Sequence, residues 1–249
     1  MKTNNIITGI KDIINEVKVK RGVNVVTSRL VNRLAQAVLD CVSGELVLRV
    51  VVIDPTNVAS TYLGIVEGLG VSLSEFINYI IDHELMHYTL TRRIVGFVNC
   101  IDAVNGPISL LITGCEEALI DLELARKYPW LREYSCSMGL KPMMPGPIDP
   151  VILRAVDYVF EEMPELAGLS DYETALLIVM IGQYPEVFAW NMAVMARTRL
   201  CNGRDVEETP LLRALKILAP NNEEQMINCA NKAIRIRAMA LNIKANKDV

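Results

Sequence analysis

SLSEFINYIIDHELMHYTLTRR, Ser72 to Arg93, decides how the rest of this 249-residue chain is read. SLSE, Ser72 to Glu75, has the pattern of a capping box, so a helix opens there. Arg92 and Arg93 suit the negative end of its dipole, so it runs to about Arg93. The chain contains two histidines in all, and both lie on this helix, His83 and His87, with Glu84 directly after the first. Residues four apart on a helix stand one turn above each other, so both imidazoles can reach one cation. Glu84 projects beside them, where a carboxylate can take a proton from water. Random placement of two histidines gives this H-E-x-x-H arrangement roughly once in two thousand chains. Two core imidazoles without a metal would need several separate hydrogen-bond partners, whereas one ion serves both. Helical phase sets Glu75, Asn78, Asp82 and Thr89 on the solvent side and His83, His87, Phe76 and Ile80 on the inner side.

A third ligand has to be a carboxylate or a thiolate, because no histidine remains. GCEEALIDLELARKY, Gly114 to Tyr128, offers several on a second helix expected over 109–127 and stopped by Pro129. Its phase sets Glu116, Glu123, Arg126 and Lys127 outward and Glu117, Asp121, Gly114, Leu110 and Leu124 inward. A carboxylate facing inward is costly to bury without a cation, which points to Glu117 as third ligand. Asp121, one turn on, can accept a hydrogen bond from a liganding imidazole. Gly114 would let this helix approach the histidine helix closely. The competing reading makes Glu117 and Asp121 ordinary helix residues paired with lysine or arginine.

Working outward, residues 5–20 and 27–43 have helical spacing of Ile, Val and Leu, the second closed by Ser43 and Gly44. ELVLRVVVIDP, Glu45 to Pro55, is a β-branched run and the strongest strand. STYLGIVEGLG, Ser60 to Gly70, reads as a second strand interrupted by glycines. GLKPMMPGPIDP, Gly139 to Pro150, holds four prolines in twelve residues and reads as a boundary. Beyond it, helices are expected near 150–163, 171–183, 186–200, 206–218 and 222–244. These elements predict a mostly helical α+β protein, with a metal-binding domain over 1–138, a linker over 139–150 and an all-helical subdomain over 151–249.

Composition narrows the function classes. With 51% hydrophobic residues the chain can bury a substantial core. Lys and Arg total 25 against 29 acidic residues, a net charge of −4 with no basic block, which speaks against nucleic acid as a partner. Mean hydropathy is high at +0.28, yet the two most apolar stretches, Ile94 to Cys115 and Ala175 to Ala196, are broken by polar residues and turns, so a membrane span is not expected. The first twenty residues lack the apolar run of a signal peptide, which predicts a cytoplasmic protein. The six cysteines form no CxxC pair and read as buried thiols, with one or two disulfides as the alternative.

HELMH at 83–87 followed by E-x-x-x-D at 117–121 resembles the zincin metallopeptidases of the gluzincin type. The resemblance covers about residues 25–130. It implies a zincin-like core of backing helix, small sheet, HExxH helix and glutamate helix, which segments 27–43, 45–54, 72–93 and 109–127 would supply. It implies Zn²⁺ on His83, His87 and Glu117, with Glu84 as general base in the hydrolysis of a peptide or protein substrate. The family's oxyanion stabiliser is a downstream Tyr or His, which here leaves Tyr128, Tyr134, Tyr158, Tyr172 or Tyr184, or an arginine such as Arg154, with Tyr158, Tyr184 and Tyr134 as the named candidates. The alternative is a catalytically inactive zinc-stabilised scaffold or peptide-binding module of the same descent.

Overall fold

A computed structural model describes residues 2–202 and 209–245. It is mostly helical with one small mixed sheet. Contacts divide it into two compact units, 1–104 with 123–139 and 105–122 with 140–249.

The first unit begins with α1 (Lys2–Arg21), whose Ile10, Ile14 and Val17 form one buried stripe at helical spacing. Three strands follow: β1 (Val25–Thr27), β2 (Ala35–Val42) and β3 (Glu45–Ile53), in the order β1-β3-β2. β1 runs parallel to β3, and β2 pairs antiparallel to it with a register shift between Val38 and Leu39. The segment 27–43, expected as a helix, therefore carries strands. Val42 faces Glu45 across the two-residue turn Ser43–Gly44, both at positive φ (55° and 84°). Such a turn suits the twist of a hairpin, so the Ser-Gly pair read as a helix stop is a hairpin turn.

Residues 60–70, expected as a second strand, are helical instead. Asp54 closes β3 and caps α2 (Pro55–Thr61), accepting the N–H groups of Thr56 and Asn57, while Pro55 occupies the first turn. The chain continues through a π turn (Tyr62–Val66) and a 3₁₀ turn (Glu67–Leu69) to Gly70 at φ 73°. Ser72 then caps α3 (Leu73–Ile94) by accepting the Glu75 N–H. Glu75 instead accepts from the Trp130 indole at 2.9 Å. That contact brings in an aromatic cluster under α3, in which Trp130 meets Tyr79 edge-on at 5.2 Å and Phe76 meets Tyr134 at 6.2 Å. Two short helices, α4 (Cys100–Val104) and α6 (Leu131–Ser137), belong to the same unit.

The second unit is helical. It holds α5 (Gly106–Leu124) as far as Leu122, then α7 (Pro150–Arg154), α8 (Val156–Glu162), α9 (Asp171–Gln183), α10 (Pro185–Asn202), α11 (Pro210–Lys216) and α12 (Glu223–Ala245). The first residues of the helix expected over 206–218 lie outside the described residues. α9 is apolar on every side and is the core helix here, with Thr174 to Gly182 all buried. The proline-rich stretch is stitched to α10. The buried Asn191 amide accepts from the Met143 N–H and donates to its C=O, both at 2.7 Å, and the Trp190 indole donates to the Lys141 C=O.

Among the described residues no cysteine is free. Cys41 on β2 is bonded to Cys100 on α4, and Cys115 on α5 to Cys229 on α12. The expectation of buried thiols is thus corrected. No single described helix is long and apolar enough to cross a membrane.

Candidate metal centre

His83 and His87 occupy successive turns of α3, their rings meeting edge-on with centroids 5.1 Å apart. The ring of Tyr79, one turn earlier, abuts His83 at 6.0 Å. Both imidazoles are half-buried, as is Glu117 on α5. One ligand atom from each of His83, His87 and Glu117 lies within 4.8 Å of the other two, a group that could hold a metal ion. Tetrahedral ligation at ~2.05 Å would set such atoms about 3.3 Å apart, so small side-chain rotations close the set. Two imidazoles and one carboxylate with a half-open side fit a divalent ion that keeps a position for water or substrate.

Glu84 is 9% exposed and turned toward the sheet, where its Oε2 accepts the Ala37 N–H of β2 at 2.5 Å. Sequence reasoning missed Ala37, because the contact depends on β2 being a strand. On the opposite side of α3, Asp82 is buried rather than solvated. It accepts from Lys127 and Tyr128, each at 2.6 Å, and from Arg21. Burial pushes its carboxyl up, but these donors outweigh burial and hold it below the usual carboxylate range. Burial and the bond to Asp82 push the Tyr128 phenol well above its ordinary value. This network anchors α3 to α1 and to the residues after α5, one position before the first histidine.

On α5, Glu116 is buried at 1% exposure, against the expectation of a solvated residue. Asp121 is buried at 3% and accepts from the Arg197 Nε on α10 at 3.2 Å. Arg197 is a neighbour of the site that no sequence motif announced, because the pairing is 76 residues long in sequence. Gly114 faces α10: a Cβ there would stand 2.8 Å from Phe188 and 3.0 Å from the Ala189 Cα. Of the three tyrosines, Tyr134 is buried at 2% within the aromatic cluster, Tyr158 is exposed, and the Tyr184 hydroxyl lies where a Cβ on Gly146 would come within 2.7 Å. A separate open pocket of about 540 Å³ forms at the first turns of α5 and α10, where Arg237 reaches the C=O groups of Ile181 and Gly182, and none of the motif residues lines it. No family model, curated protein or solved structure matches this chain.

Proposed function

We propose that the protein is a zinc-dependent hydrolase of peptide or amide bonds. The observation that carries this reading is the convergence of His83, His87 and Glu117 within 4.8 Å, next to a buried glutamate held by a strand edge. A divalent cation bound there supplies Lewis acidity for the scissile carbonyl and makes water easier to deprotonate. His83 and His87 orient from one rigid helix, so their spacing needs no induced fit, and Glu117 completes the set from a second helix. Glu84 accepts the proton of the attacking water and returns it to the leaving nitrogen. The Ala37 N–H fixes one of its oxygens and leaves the other for the water. β2 is an edge strand, which suits an extended backbone as substrate, because one laid along it would bring its amide carbons close to Glu84.

The test is metal content together with cleavage of an internally quenched peptide library by the purified full chain. Wild type should carry one zinc and cleave. Glu84→Ala should keep the zinc and lose cleavage by about a thousandfold. Stoichiometric zinc without cleavage above the Glu84→Ala background overturns the enzyme in favour of a zinc-stabilised scaffold, and absence of zinc binding overturns both.

A further inference from the structure

We infer that the Cys41–Cys100 disulfide is a redox control on Glu84, exerted through strand β2. Only the consequence for catalysis rests on the hydrolase reading. β2 is held by β3 along one side, and its other side reaches α3 through the bond from the Ala37 N–H to Glu84. Cys41 lies four residues along the same strand, about 13 Å from Ala37. Its partner Cys100 opens α4, six residues after the end of α3. The strand is therefore tied at two points, directly to the histidine helix by Glu84 at Ala37 and, at Cys41, by the disulfide to α4, which follows that helix in the chain. Between these ties the ladder is interrupted at Val38 and Leu39, where pairing resists displacement least.

The disulfide is the principal fastener of this corner. α4 has five residues, of which Cys100 and Ala103 are buried, while Phe97 and Ile101 on either side of Cys100 are 69% and 64% exposed. With so little apolar surface buried, the corner belongs to the low-stability parts of the unit once the bond is broken. The Cys41–Cys100 and Cys115–Cys229 disulfides also differ in access. Cys41 is half-exposed, whereas Cys115 and Cys229 are 0% and 1% exposed. An attacking thiolate can reach the first bond in the folded protein and not the second.

The chemistry is exchange with a dithiol. Its thiolate attacks the Cys41 sulfur, the bond to Cys100 breaks, and Cys100 leaves as a thiolate that takes a proton. The second thiol then attacks the mixed disulfide and releases the Cys41 thiol. The protein gains two electrons and two protons, and the reductant departs as its own disulfide. The outer half of β2 is then fastened by its ladder and by Asp40, which accepts from both the Cys41 N–H and Arg49. Ala37 loses its fixed place against Glu84.

The experiment treats the folded full chain with dithiothreitol, identifies reduced cysteines by alkylation and mass spectrometry, and follows amide exchange at Ala37 by NMR. Alkylation should mark Cys41 and Cys100 while Cys115 and Cys229 stay protected; Cys136 and Cys201 are also disulfide-bonded and accessible, and the Cys41→Ser variant separates their reduction from that of Cys41. Exchange at Ala37 should rise at least about tenfold on reduction, and equally in Cys41→Ser and in the oxidised Glu84→Ala variant. Zinc affinity, measured by chelator competition, should stay within about twofold, because the ligands sit on α3 and α5. Peptide cleavage should fall about tenfold or more and return on reoxidation. Cysteines that cannot be alkylated in the folded chain, or Ala37 protection unchanged by reduction, overturn the coupling. Protection that responds while neither form cleaves peptide leaves the coupling intact and overturns the hydrolase.

Discussion

Glu173 shows what one carboxylate contributes when its partners are fixed. It sits in the first turn of α9, 5% exposed, in a capping box with Ser170 and in an ion pair with Arg213. The Ser170 N–H, and then Arg213, hold its carboxyl below the ordinary 4.5. A folded value below the unfolded one gives stability that is present above the unfolded value and is lost as pH falls through the folded value. Denaturant melts should therefore show stability declining below about pH 4.5, with Glu173→Gln flattening that limb and costing about 1 kcal/mol at neutral pH, since Arg213 is half in solvent. An equal acid limb in the variant would show that other carboxylates carry it. At this scale the sequence was most legible at His83, His87 and Glu117, which spacing and helical phase single out and which form one group that could hold a metal ion. It misled where a charge is buried by distant partners. Asp82 follows the phase of a solvated residue, yet Arg21 and Lys127 come from 61 and 45 residues away to neutralise it.

Elements were read well where the signal is local. α3 begins at the Ser72 cap, and α5, α9 and α12 fall close to their expected spans. β2 was misread because Ala35, Gln36, Ala37 and Leu39 are all good helix formers. Pairing with β3 decides their conformation, a non-local gain that propensity does not contain. The segment after Asp54 was misread for the opposite reason: Asp-Pro was taken as the end of a strand when it is also the start of a helix. Helix contacts that depend on a missing side chain are likewise invisible in sequence. A Cβ on Gly182 of α9 would stand 2.5 Å from the Ala240 Cβ of α12. Gly182→Ala gains about 1 kcal/mol of helix propensity but overpacks a crossing, which costs about 1–3 kcal/mol, so thermal melts should show a net loss. Adding Ala240→Gly should restore much of it. Undiminished stability in the single variant would mean that the crossing yields without strain.

At the scale of the molecule, two features set the limits. One is the disulfide set, which the scattered cysteines could not reveal because pairing is a property of the fold. Bonds of this kind persist in oxidising compartments or inside hyperthermophiles. Cys115 and Cys229 are 114 positions apart. Closing a loop of that length restrains the unfolded chain by about 5 kcal/mol, so a Cys115→Ser, Cys229→Ser double variant should lose stability on that order in urea titrations. A loss well under 1 kcal/mol would show that native strain cancels the restraint. The other feature is the metal group, to which α3 contributes His83 and His87 and α5 contributes Glu117. Cys115 stands two residues before Glu117, so the glutamate is moored covalently to the final helix of the fold. A proteolytic nick anywhere between those cysteines would leave both fragments joined, and the carboxylate could not drift away with a severed piece.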